Sequence, residues 1–451
     1  MTKDMTQGNP LKLILTFAFP VFWGSIFQNL YSMIDSMIVG RFLGVDAFAA
    51  VGSTGTITFL VFGWIIGLTS GFGILISQAF GLRDQKGIRH IVAMSTYLCL
   101  AFAVVMTIGL LCSNSLILRM MNTPEKIFAD TKIYIGIIYA GIPFTILYNM
   151  LASIARAFGD SKTPVRYLIV SSVLNVIFDY VLIAIIPMGV AGAAYATVIA
   201  QAISAILCFT YEWKKYDELH FRREEARISW RSIGKLLSIG IPMGLQFSVT
   251  AIGTMIVQSS LNLLGSTHIA AFSAAKKIQN IVEQFYASLG AAMATYAGQN
   301  FGAKKYARIN QGVKKCIQIE LVYTAIMMAL AYKILPSLVT IFTEDPTGEL
   351  RQIAAQVFHA CMWFYLPLGL IFIYRNVLQG IGNGLVPMLG GVFELLARAA
   401  IVWIFFEKYQ FQAICFSDPG AWVGALIPLI PFYYWYYNKI VKEREKVDVQ
   451  G

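Results

Sequence analysis

Apolar residues run in stretches of about twenty or more along this chain, and polar residues are confined to the short gaps between them. Runs of that kind can be placed near 13–40, 54–80, 91–113, 131–155, 167–187 and 190–211. A second set lies near 235–264, 268–297, 314–335, 353–378, 385–406 and 420–438. Each is long enough to cross a hydrocarbon core of roughly 30 Å as a helix. A backbone in lipid must satisfy its own hydrogen bonds, so the pattern predicts twelve transmembrane helices and no strands.

The two sets are copies of one another. Gln78-Ala79-Phe80-Gly81 returns as Gln299-Asn300-Phe301-Gly302, Pro20 is echoed by Pro242, and Gly44 by Gly265. Gly159 and Pro164 are echoed by Gly382 and Pro387 with the same spacing. The expected fold class is therefore an all-α polytopic membrane protein, two homologous six-helix bundles in parallel repeat around a central cleft. The bundles cover residues 1–211 and 235–451, the latter with a short cytoplasmic tail, and a polar cytoplasmic linker at 212–234 joins them. Six spans per half return the chain to its starting side, so the halves share one orientation. A duplicated membrane unit of this kind places a substrate site between two bundles that rock against each other.

Composition agrees with this solvent. Hydrophobic residues make up 57% of the chain and charged residues 13%, with mean hydropathy +0.65. Most of the 35 Lys and Arg fall in loops on one side, above all 212–235 and 303–315, so the positive-inside rule puts both termini in the cytoplasm of a multi-pass plasma-membrane protein. A net charge of +11 on short loops beside membrane helices points to lipid headgroups rather than nucleic acid. Lys3 and Lys12 precede an apolar run without a small-residue cleavage site, which predicts a retained first helix rather than a signal peptide. The six cysteines are scattered singly and the four histidines do not cluster, so neither a disulfide framework nor a metal site is expected.

Of the 24 acidic residues, Asp35, Asp179, Glu283 and Glu394 fall inside predicted spans, where an ionised carboxylate costs on the order of 3 kcal/mol. Glu320 is placed near the cytoplasmic end of its helix, within reach of water. Gln28, Tyr31 and Asp35 share one helix face, as do Asn175 and Asp179, and Thr197 and Gln201. These stripes are expected to meet inside the amino-terminal bundle. A static polar network would also bring them together, but such glue is usually built from Ser, Thr and Asn, not from two acids without a base. Two neighbouring acids cannot comfortably both ionise, so the pair is poised to take up a proton or a monovalent cation.

The second half has Val257 and Val402 where the first has the acids. Its Glu394 and Arg398, four apart, read as a structural ion pair, and Arg398 as the only base in mid-span. Glu283, sharing a face with Gln279 and Tyr286, either lines a cavity or pairs with Arg398. Trp23 and Phe27 fit lipid or helix packing better than a stacking site. Pro20, Pro143, Pro242 and Pro367 lie inside spans, where proline permits a bend. Pro20, about four turns before Asp35, is the candidate hinge.

Taken in order, Pro20, Gln28, Asp35, Gly40 and Gly44, the repeated Gln-x-Phe-Gly, the run Arg156 to Pro164 and the run Gly189 to Thr197 resemble the multidrug and toxic compound extrusion (MATE) family over essentially the whole chain. The resemblance implies a secondary active antiporter, not an enzyme. It would export drug-like, often cationic compounds in exchange for protons or sodium ions by alternating access, with no cofactor beyond that ion. It implies that Asp35, Asn175, Asp179 and Thr197 form the amino-lobe cation site. From their helix faces, Gln28, Tyr31, Gln201, Glu283 and Tyr286 are expected to line the substrate cavity. The sodium-driven branch carries acids on the seventh and tenth helices, where 235–264 and 353–378 have none, so proton coupling is expected. A lipid-linked oligosaccharide flippase of the same broad architecture would need a cationic cavity. A membrane enzyme would need a nucleophile or metal motif, and a channel suits a duplicated frame less well. A functional monomer suffices.

Overall fold

A computed structural model describes residues 3–220, 222–339 and 348–450, with side chains to 440. The described chain is almost wholly helical. In order the helices are α1 Pro10–Leu43, α2 Val45–Ser53, α3 Gly55–Leu82, α4 Gln85–Met120, α5 Glu125–Ala140, α6 Ile142–Ala157, α7 Lys162–Asp179 and α8 Val190–Lys215. There follow α9 Trp230–Leu261, α10 Ser266–Gly302, α11 Tyr306–Lys333, α12 Leu335–Leu338, α13 Glu349–Met362, α14 Tyr365–Gly380, α15 Leu385–Tyr409 and α16 Phe411–Gln450. All twelve expected spans fall on these helices, and two of them are broken. The span expected at 131–155 is α5 and α6, bent by 45°, and that at 353–378 is α13 and α14, bent by 54°. Pro143 lies in the first turn of α6 and Pro367 in that of α14, whereas Pro20 and Pro242 sit inside unbroken α1 and α9.

The duplication is written in the backbone as well as in the letters. Gly44 and Gly265 take φ of 85° and 88° and open α2 and α10, while Gly159 and Gly382 take 77° and 91°. After each Gln-x-Phe-Gly the helix ends on a left-handed residue, Arg83 at φ 59° and Lys304 at φ 57°. The next amide then closes onto an earlier carbonyl, Asp84 N to Ala79 O at 3.2 Å and Lys305 N to Asn300 O at 2.8 Å, as in a Schellman ending. The repeated letters are therefore helix stops.

The chain divides into two compact units, one of residues 1–4 and 19–244, the other of 5–18 and 245–451. The divisions fall inside α1 and α9, close to Pro20 and Pro242. In the first unit, α3 crosses the first half of α9 glycine on glycine: a Cβ on Gly71 would lie 2.5 Å from Gly240 Cα, and one on Gly67 2.5 Å from Met243 O. The apolar core of this unit is built by Ile65, Leu68, Phe72 and Ile76 of α3, Ile135 and Tyr139 of α5, and Ile154 and Phe158 around the end of α6. The second unit packs α10 on α14 and α15 on α16, with Tyr286, Tyr296, Tyr365 and Tyr433 among its largest fully buried side chains.

Candidate functional site

The expected polar stripes meet in the first unit. Asp179 is fully buried and Asn175 nearly so. The Asn175 amide donates to Thr197 Oγ1 at 3.3 Å, and that hydroxyl donates back to Ala193 O at 3.1 Å, which ties α7 to α8. Asp35 on α1, half-buried, lies close enough to Asp179 for the two carboxyls to interact. Two carboxyl groups so placed disfavour ionising together. Buried oxygens Asp35 Oδ1, both Asp179 oxygens and Asn175 Oδ1 receive no donor from another residue. Among the described residues no Lys, Arg or His pairs with either acid.

One turn before Asp35, Tyr31 stands near both acids and near the exposed Gln28 side chain. Gln201, one turn beyond Thr197, is half-buried. Two features were not read from the sequence. Tyr134 of α5, 9% exposed, stands near Asp35, Asp179 and Tyr31; aromatic residues are so common in these spans that one more carried no signal. And α7 gives way at Asp179 to a π-helical turn, Tyr180–Ile185, a widening often found at functional positions.

The second unit departs from expectation in several places. Glu394 and Arg398 do pair, at 3.1 Å, but Arg398 also holds Asp418 Oδ1 at 3.1 Å, Arg375 holds Glu394 Oε2 at 3.1 Å, and Lys276 Nζ bonds Asp418 Oδ2. Arg398 is therefore not the only base inside the spans. Asp418 was placed ahead of the last run at 420–438, but α16 begins at Phe411 and takes it inside. Glu283 accepts from Gln279 Nε2 at 3.1 Å instead of pairing with Arg398, and Tyr286 is fully buried with its hydroxyl 2.9 Å from Thr324 Oγ1. Glu320, expected near water, is fully buried. Pairing three bases with Glu394 and Asp418 pre-empts them for any anionic ligand, since a buried charge is tolerated when paired and hydrogen-bonded.

The run Arg156 to Pro164 makes the elbow between α6 and α7. Asp160, 5% exposed, accepts from Lys162 N and Thr163 N at 3.0 Å, Thr163 Oγ1 at 2.7 Å, Tyr216 OH at 2.9 Å and Lys215 Nζ. Burial alone would raise this carboxyl, but the bonds from Lys215, Thr163 and Tyr216 outweigh it and hold it below the usual carboxylate range. Asn383 caps the matching elbow in the second half, accepting from Val386 N at 3.0 Å.

A family model described as MatE matches residues 20–181 and again 242–404, in the same two copies that the sequence repeats. The chain belongs to the MatE family. Its relatives include the probable multidrug resistance protein YoeA of Bacillus subtilis (strain 168), 28% identical, with 97% of this chain and 96% of the relative aligned. The probable multidrug resistance protein YpnP of the same organism is 30% identical over 93% of this chain and 91% of its own length. A crystal structure of MATE in complex with MaL6 covers 98% of this chain and all of that one, with a TM-score of 0.91 at 21% identity. At that identity the likeness is one of fold. The MatE relatives are multidrug transporters, not enzymes, and this chain is a multi-pass membrane protein of the same efflux family.

Proposed function

We propose that the chain is a secondary antiporter of the plasma membrane, with both termini cytoplasmic, that exports amphipathic, often cationic compounds in exchange for protons. The observation that carries this reading is the Asp35 and Asp179 pair: two neighbouring carboxyls, Asp179 fully buried and Asp35 half-buried, without a base, which a proton can bridge and a cation can replace. In the outward-facing state the pair takes a proton, which removes its attraction for a bound cation and lets the compound leave. In the inward-facing state the proton is given up and the charge returns. Thr197 and Asn175 orient the site, Tyr31 and Tyr134 wall it off, and Pro20 is the point at which α1 can flex. The ligand bias of the cycle comes from differential binding to the two states.

Sodium is the competing ion, because Asp35, Asp179, Asn175 and Thr197 present only hard oxygen acceptors apart from the Asn175 amide nitrogen. A lipid-linked sugar flippase fits less well, since Lys276, Arg375 and Arg398 are spent on internal acids. The test uses everted vesicles with a stored pH gradient. Adding ethidium is expected to collapse part of the gradient for wild type and none of it for Asp35→Asn present at equal amount. A gradient unmoved by ethidium but lost on adding sodium would reassign the coupling ion, and one unmoved by either would end the antiport reading.

A further inference from the structure

Glu320 lies at the middle of α11, fourteen residues after its first residue and thirteen before its last, about 20 Å of helix from either end. It is 0% exposed, and both carboxyl oxygens are buried with no donor. The residues one turn to either side on the same face, Cys316 and Thr324, are buried too. Thr324 and Tyr286 of α10 share a hydroxyl–hydroxyl hydrogen bond at 2.9 Å, and neither donates to the acid. Tyr374 of α14 faces it as well, as do Cys316 and Tyr286, and none of these is a cation. Tyr323, its neighbour on α11, gives its hydroxyl to Val282 O at 3.0 Å. Among the described residues no Lys, Arg or His lies within ion-pair distance, and the bases buried in this unit are committed to Glu394 and Asp418.

The space for the carboxyl is made by a missing side chain. A Cβ on Gly369 of α14 would stand 2.6 Å from Glu320 Oε2 and 2.9 Å from the Tyr286 ring, so the acid rests against bare backbone. Gly369 comes one turn after the start of α14, where the helix breaks by 54° from α13. An acid built only for packing would be served as well by a leucine. A carboxyl without a counter-charge, against a glycine and beside a break in the helix that covers it, is a group that can keep a proton while dry and lose it when water enters.

We propose that Glu320 is a second proton-carrying group, in the carboxy-terminal unit, loaded while α14 lies over it and unloaded when the α13–α14 break admits water. This rests on the antiport reading above, but it concerns a different unit and different residues from the acid pair. Each proton bound forms one O–H bond on the carboxylate and each released one leaves to water, so nothing else need be exchanged.

Two measurements test it. In proteoliposomes, the pH difference that just cancels an imposed ethidium gradient gives the protons moved per ethidium. Glu320→Gln, a neutral isostere of the loaded acid, is expected to lower that ratio by one proton, while Glu320→Asp keeps it. A purely structural role predicts the same ratio for the Gln variant, and that result overturns the proposal. Should the Gln variant fail to accumulate, wild-type protein in vesicles is treated with dicyclohexylcarbodiimide, an apolar reagent that adds to protonated carboxyls. Mass spectrometry should find the adduct on Glu320, in a yield that falls as pH rises from 5 to 9; no adduct across that range overturns the proposal. If wild type moves no protons with ethidium at all, the antiport reading fails instead, and the labelling alone decides whether Glu320 exchanges its proton.

Discussion

Removing the charge from Asp160 should loosen the α6–α7 elbow by an amount that can be worked out. In Asp160→Asn the retained Oδ1 can still accept from the Lys162 and Thr163 amides, but the oxygen serving Thr163 Oγ1, Tyr216 and Lys215 becomes an amide nitrogen. Hydrogen bonds to a charged group contribute roughly 1.5–3 kcal/mol each. Lys215, whose side chain is 19% exposed, can turn to water and recover its share, so the expected loss is that of the two other bonds, about 3–6 kcal/mol. Tyr216→Phe removes one donor from an acid that keeps four, at a cost of about 1–2 kcal/mol. The double variant should be less unstable than the sum, because both changes remove the same bond. The assay is unfolding in mixed micelles by SDS titration at pH 7. The sign of the pH effect follows from the lowered carboxyl: its stabilisation is present above the ordinary carboxylate value and is lost only as pH falls through the still lower folded one. The cost should therefore be constant from pH 6 to 8. A variant within 0.5 kcal/mol of wild type, or a cost that disappears between pH 8 and 6, would refute the assignment of a charged clamp.

Two further outcomes follow from the packing. Gly71→Val would drive its side chain into Gly240 Cα, and the variant should show sharply reduced membrane accumulation on immunoblot, whereas Gly52→Ala, with nothing within 4 Å, should accumulate normally. Lys276→Met leaves buried Asp418 with Arg398 as its one base among the described residues, and a stranded buried charge is costlier than a removed pair. Lys276→Met with Asp418→Asn should therefore melt above Lys276→Met alone in a detergent thermal-shift assay.

The spans were legible because lipid leaves the backbone a single solution, and a run of apolar residues advertises that solution without detail. The acid pair was legible for the converse reason: Asp35 and Asp179 stand out against the runs that contain them, and helical spacing aligns them with Gln28, Tyr31, Asn175 and Thr197. What stayed hidden depended on where helices begin and how they deviate. Lys314 and Lys315 suggested that the span carrying Glu320 starts there, whereas α11 begins eight residues earlier at Tyr306, which carries the acid to mid-helix. The last apolar run is placed at 420–438, yet α16 starts at Phe411 and takes Asp418 into the interior. The π turn after Asp179 has no compositional mark, because it differs from an α-helix only in which carbonyl each amide meets. Lys276 and Arg375 showed no partner within their own helix turns, since their acids come from helices α16 and α15.

The unequal ionic content of the two units decides where a membrane voltage can act. In the second unit Lys276, Arg375 and Arg398 offset Glu283, Glu394 and Asp418, which leaves Glu320 to carry whatever charge its proton leaves. In the first, the two carboxyls have no offsetting base and carry whatever charge their protons leave. An elementary charge crossing the full field is worth about 2.3 kcal/mol per 100 mV, so under the antiport proposed above a negative interior potential pulls protons inward onto that pair and makes the energised membrane itself a contributor to the turnover rate.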